Sequence, residues 1–238
     1  MILYQGPSLI DGKPIVAIIT GLSSKSKNSK TGQMPQVWII RADIHPTEAL
    51  RAGEDYSICG NCPHRPKTLG ADALKQSSRT CYVNTMSFNA VYKKFANGGY
   101  TVADLSQVAD ILRGSKVRLG AYGDPAAVPV EVWDAICAYC ESTGYTHQWR
   151  TCNNRYAEYC MASCDNIVDV VDATNMGYRT FFVQSTTEPS QVIHQIHNIK
   201  LAHCPASKEK GKVTTCYNCM ACSGTRLQRK SNITIMLH

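Results

Sequence analysis

The residues most able to do chemistry in this chain are its cysteines, twelve among 238 residues. Four of them form the pattern Cys204-x11-Cys216-x2-Cys219-x2-Cys222. Two-residue spacers let successive thiolates turn toward one centre, and a fourth from twelve positions earlier closes a tetrahedral shell, as zinc and four-iron clusters both require. The step Cys216, Cys219, Cys222 is ferredoxin-like, so the spacing favours a [4Fe–4S] cluster with zinc as the alternative. A second group is Cys59-x2-Cys62 with Cys81 further on and His64 two residues past the pair. Three thiolates would leave one iron of a cluster open, whereas His64 as a fourth ligand would close a zinc site. A third arrangement, in which Cys59 and Cys62 join the C-terminal thiols, stays open at this level. Cys137, Cys140, Cys152, Cys160 and Cys164 fall in or beside regular elements and read as core material.

Two polar stretches complete the candidate chemistry. In Gly123-Asp124-Pro125 the proline fixes the turn and removes a donor, and Asp124 is placed to accept from an ammonium group. In Thr146-His147-Gln148-Trp149-Arg150 strand alternation would aim His147 and Arg150 to opposite faces. Asp124, His147 and Arg150 are the expected catalytic residues, with recognition of a polar or anionic substrate. Asp165 and Gln184 read as caps or solvent contacts, and His194 with His197 as a weak metal pair. Neither a phosphate-binding P-loop nor a serine nucleophile elbow occurs.

The elements that must position these residues are legible from their periodicity. Residues 15–20 and 37–40 are β-branched and flank a polar loop, an N-terminal β-hairpin. Beyond residue 101 the pattern alternates helix and strand: helix 102–112, strand 117–122, helix 130–141, strand 145–150, strand 159–163, helix 167–175, strand 179–184, helix 191–197 and strand 199–202. Gly144 and Gly177 sit where helix C-termini favour left-handed residues. The alternation predicts an α/β fold, a complete or partial (βα) barrel with function gathered at the C-terminal ends of its strands. The organisation expected is a hairpin and helix over 1–53, a barrel-like core with its Cys-rich loop over 54–203, and a basic, Cys-rich metal-binding extension over 204–238.

Composition narrows the class. With 44% hydrophobic and 18% charged residues the chain is neither disordered nor fibrous, and no apolar run reaches the ~20 residues that cross a bilayer. No membrane partner is expected. The start has no basic, then apolar, secretory pattern, so a cytoplasmic location is expected, where clustered cysteines signal metal rather than disulfides. The charge is +7. Its excess lies in Lys25, Lys27 and Lys30 and in Lys208, Lys210, Lys212, Arg226, Arg229 and Lys230, which suits an anionic partner such as a nucleotide or nucleic acid.

Cys59, Cys62 and Cys81 ahead of the strands, the turn Ala121-Tyr122-Gly123-Asp124-Pro125, and the four-cysteine site after them together resemble the radical S-adenosylmethionine superfamily. The spacers between the first three cysteines are two and eighteen residues, where that family has three and two. The resemblance implies a [4Fe–4S] cluster on Cys59, Cys62 and Cys81 with an open iron for S-adenosylmethionine. It further implies that Gly123, Asp124 and Pro125 bind this cofactor and that Cys204, Cys216, Cys219 and Cys222 carry an auxiliary cluster. The chain also resembles phage-encoded cysteine-rich proteins, which would place it in a host cytoplasm. The competing expectation is a phage or mobile-element nucleic-acid-binding protein whose zinc or iron–sulfur sites are purely structural.

Overall fold

The computed structural model describes residues 1–23, 28–228 and 231–237; Lys25, Lys27, Arg229 and Lys230 lie outside them. The fold is α/β, with seven α-helices and two mixed sheets among the described residues. The first sheet runs in chain order: β1 (Ile2–Pro7), β2 (Pro14–Thr20), β3 (Gln36–Arg41), β4 (Lys116–Tyr122) and β5 (Glu141–Thr143). Strands β1 to β3 are antiparallel and β3, β4 and β5 parallel. The hairpin expected over 15–40 is therefore present, and β1 extends it. Ile15 to Ile19 in β2 are buried without alternation, because both faces of the sheet are covered.

The second sheet contains β6 (Tyr145–Thr146), β7 (Met161–Cys164), β8 (Thr180–Gln184), β9 (Gln195–Ile196), β10 (Ile199–His203) and β11 (Asn232–Met236) in the order β6-β7-β8-β11-β10-β9. All neighbours are parallel except β9 on β10. Gly144 alone separates β5 from β6, so the two sheets share a corner, and this glycine ends a strand rather than a helix. A Cβ there would stand 2.8 Å from the Cys160 sulfur, so glycine lets the chain pass close to the next strand. A complete barrel is not formed: β1 and β9 are outer strands, and no bridge joins them among the described residues.

Helices α1 (Pro46–Ala52), α2 (Tyr56–Cys59), α3 (Thr85–Ala96), α4 (Leu105–Ile111) and α5 (Val130–Ile136) accompany the first sheet. Fully buried Trp133 of α5 anchors this half and donates to the Pro125 carbonyl at 3.1 Å. The second sheet carries different layers on its two faces, as strand alternation dictates. Ala162, Cys164 and Phe182 pack with Val170 and Ala173 of α6 (Ile167–Asn175). Met161, Phe181 and Val183, pointing the other way, pack with Cys204, Ala206, Cys216 and Cys222.

The residues after Cys204 are thus no appended tail. Helix α7 (Cys216–Cys219) lies against the sheet, and β11 is inserted between β8 and β10. Arg179 fastens the segment by donating to the carbonyls of Ala221, Ser223 and Ser231. Two element expectations fail. Residues 191–197 form no α-helix, since β9 pairs there with β10 across a turn. The strand expected over 145–150 is the short β6, which ends at Thr146, and a separate strand of the other sheet, β5, precedes it at Glu141–Thr143.

Candidate functional site

The connection from β3 to α3 carries the first three cysteines, and ion pairs give it its shape. Buried Asp55 accepts two hydrogen bonds from the Arg65 guanidinium, at 2.9 and 2.8 Å, which also donates to the carbonyls of Gly53 and Gly60. At the end of β3, buried Arg41 binds Asp43, Glu54 and Ser57. Cys62 N–H then donates to the Cys59 carbonyl.

The eighteen residues before Cys81 fold back on themselves, with Lys67 N–H on the Ser78 carbonyl at 2.9 Å and Cys81 N–H on the His64 carbonyl at 3.1 Å. The long spacer therefore returns Cys81 to the pair. Burial pushes the Cys59 thiol well above its ordinary pKa, and the charges of Asp55, Cys62 and Cys81 act in the same direction. Burial also raises Cys81. Tyr122, the last residue of β4, feels Cys59, Asp55, Cys81 and Arg79. Tyr122 Oη and Arg79 Nε are both buried there without a hydrogen-bond partner.

The turns after β4 and β6 grip this loop. Asp124 N–H donates to the Ile58 carbonyl at 2.6 Å, and Gln148 Nε2 to the Cys59 carbonyl at 3.1 Å. Gly123 has a φ of +80°, and a Cβ on it would come within 2.7 Å of Ile39, so a side chain would force β3 and β4 apart. Asp124 does not offer its carboxylate to a ligand. Its Oδ1 accepts from Ala126 N–H at 2.9 Å and its Oδ2 from His147 N–H at 2.8 Å. Burial raises its pKa against those bonds.

Asp124 therefore holds His147 in place. Replacing it with Asn turns an NH2 group toward one of the two N–H donors. The Asp124→Asn protein is expected to lose about 1–3 kcal/mol, the cost of one buried donor left unpaired, measured by urea unfolding.

His147 faces Asp165, which follows β7, and so does His64 from the cysteine loop. His64 Nε2 lies 3.0 Å from Asp165 Oδ1, and His64 Nδ1 lies 2.7 Å from Thr80 Oγ1. His147 Nε2 lies 3.2 Å from Asp165 Oδ2 without the alignment of a hydrogen bond. Burial would lower the His147 pKa, but Asp165 and Cys62 together bring it up to about 10. The two imidazoles in turn hold the Asp165 carboxyl well below its usual range despite its burial. Both ring nitrogens of His64 are engaged, Nδ1 by Thr80 and Nε2 by Asp165. Arg150 is not a companion of His147. It stands outside the strand, half exposed, and pairs with Asp169 and Asp172 of α6 at 2.9 Å each.

The C-terminal thiols make a second group. Cys204, Cys216, Cys219 and Cys222 line one small cavity together with Arg118, Thr143 and Tyr145. Burial pushes Cys222 up to about 12, and the nearby charges of Cys204, Cys216 and Cys219 add to it. The basic N-terminal loop is tied down at its described end: Cys216 N–H donates to the Lys30 carbonyl at 2.8 Å, and Lys116 Nζ to the Tyr217 carbonyl at 2.8 Å.

The twelve cysteines thus divide as two sets and a remainder, with Cys59 and Cys62 near Cys81 rather than near the C-terminal four. Of the remainder, Cys137, Cys140, Cys160 and Cys164 are buried and Cys152 half-buried. In neither set do three sulfurs lie within 4.8 Å of one another. Among the described residues, His64, His147 and Asp165 are the one trio of His, Cys, Asp or Glu whose donor atoms do.

Arg118 joins the two sets and, like Arg79, belongs to none of the motifs of the sequence. It donates to the hydroxyl of Tyr82, which follows Cys81, and its guanidinium lies 5.9 Å from the ring centres of both Tyr82 and Tyr145. A cation inside a strand between two cysteine groups was the available signal. No protein family, curated protein or solved structure matches the chain.

Proposed function

We propose that this protein is an iron–sulfur enzyme of the radical S-adenosylmethionine type, acting on a polar or anionic substrate. The observation that carries the reading is the convergence of Cys59, Cys62 and Cys81 beside the C-terminal ends of parallel strands β3 and β4. Successive parallel strands turning at Gly144 suit a partial barrel, whose chemistry gathers at that edge.

The residues present fit a cluster. A single zinc ion with sulfur bonds of about 2.3 Å holds its thiolates roughly 3.8 Å apart, and neither cysteine set draws three sulfurs within 4.8 Å. A [4Fe–4S] cluster, in which each thiolate binds a different iron, does not require that closeness. Tyr122 Oη and Arg79 Nε, buried and unpartnered, supply hydrogen-bond donors to such a cluster or to its ligand. On this reading Cys59, Cys62 and Cys81 hold one [4Fe–4S] cluster and Cys204, Cys216, Cys219 and Cys222 a second.

When bound, the first cluster with S-adenosylmethionine supplies one-electron cleavage of a sulfonium carbon–sulfur bond. The chain's own contribution is positioning. Asp55 and Arg65 fix the loop, Gln148 and the Asp124 N–H pin it to the strand ends, and the backbone of the Gly123 turn, rather than the Asp124 carboxylate, is what remains to meet a cofactor. Arg118 places a buried positive charge between the two groups, suited to an anionic substrate.

Protein isolated without oxygen should be brown, contain about eight irons per chain, or about four per occupied site, and cleave S-adenosylmethionine when reduced. Colourless protein that holds zinc alone would defeat the proposal. A second reading, in which both metals are structural and the protein binds nucleic acid, is favoured by exposed Lys208, Lys210 and Lys212 on one loop. Binding that weakens steeply with salt, in protein inert toward S-adenosylmethionine, would support it.

A further inference from the structure

We infer that His64, His147 and Asp165 form a separate binding site for a divalent transition-metal ion. The three come from three strand-end loops, after β3, β6 and β7, and no element of local structure requires them to meet. Asp165 Oδ1 lies 3.0 Å from His64 Nε2, and Asp165 Oδ2 lies 3.2 Å from His147 Nε2. Bonds of about 2.1 Å to nitrogen and oxygen set neighbouring ligands roughly 3.0 to 3.4 Å apart around one ion; both carboxylate–imidazole separations fall in that range, and the three residues' donor atoms lie within 4.8 Å of one another.

A carboxylate between two histidines can also be a plain hydrogen-bonded relay. Two observations favour the ion. His147 Nε2 is buried beside Asp165 and makes no hydrogen bond, which a relay would not leave and a metal bond would use. His64 has the support typical of a metal ligand: Thr80 Oγ1 engages Nδ1 at 2.7 Å and directs Nε2 into the site. His147 is fixed through its backbone, whose N–H meets buried Asp124. Two imidazoles and one carboxylate select zinc, iron(II) or cobalt(II) over magnesium or calcium. Three protein ligands leave positions for water or for an oxygen of a bound molecule. The site lies on the same strand-end edge as the first three cysteines, near Cys62, but its existence does not depend on the iron–sulfur proposal.

Cobalt(II) tests it. The full chain, purified without oxygen and dialysed against a chelator and then against excess Co2+, is desalted and assayed for cobalt and iron. Asp165→Asn and His64→Gln proteins are each expected to hold one cobalt per chain fewer than the parent, with iron unchanged. Thr80→Val should weaken Co2+ binding at least about tenfold while melting at the parent temperature, which separates ligation from folding. Equal cobalt in parent and variants overturns the inference. So does iron that falls together with cobalt, since that would assign these residues to the sulfur centre. A parent that carries no iron leaves the cobalt difference readable, so the two proposals fail separately.

Discussion

Replacing Cys81 with Ala is expected to remove one cluster's complement of iron, about four atoms per chain, and to abolish reductive cleavage of S-adenosylmethionine. The thiol stands at the end of an eighteen-residue excursion closed by the Lys67–Ser78 and His64–Cys81 backbone bonds. The backbone path is thus independent of its sulfur, and the rest of the loop should stay folded. On the proposed assignment of a second cluster to Cys204, Cys216, Cys219 and Cys222, its iron should remain, which makes the halving diagnostic. A Cys81→Ala protein with full iron content would show that Cys81 is no ligand.

The second large effect is on stability. Cys222→Ala removes a sulfur buried against Tyr145 in the layer that covers Met161 and Ile233. Metal binding at a closed thiolate site is folding free energy, on the order of 10–16 kcal/mol for structural zinc peptides. Loss of even about 4 kcal/mol of it lowers the melting temperature of a chain this size by roughly 8–16 °C. Calorimetry should show that fall together with loss of the C-terminal metal, and limited proteolysis should find cleavage near residues 208–213. A variant that melts with the parent would mean that packing alone holds this segment.

Much of the scaffold can be read in advance because period decides it. The short apolar run Phe181, Phe182 and Val183, and the helical spacing of residues 167–175, match β8 and α6 closely. The reading fails where sequence neighbours do not determine the outcome. Alternation puts His147 and Arg150 in one strand, but the strand stops at Thr146 and the two side chains leave in unrelated directions. Residues 191–197 carry a helical spacing of apolar residues, yet pairing with β10 prevails over so short a pattern.

Among the sites, grouping of the C-terminal thiols follows from their spacers. The meeting of His64 with Asp165, 101 positions apart, is a product of tertiary folding that no local spacing encodes. Asp124 is recognisable as a turn residue, but the groups its carboxylate meets can be read only from which N–H groups surround it.

The insertion of β11 between β8 and β10 has a consequence for biosynthesis. Strand β10 leaves the ribosome before the one that will lie between it and β8, so both present bare peptide edges until residues 232–236 emerge. Such edges invite intermolecular pairing. The nascent chain therefore passes through an aggregation-prone interval that closes only when β11 fills the gap between β8 and β10.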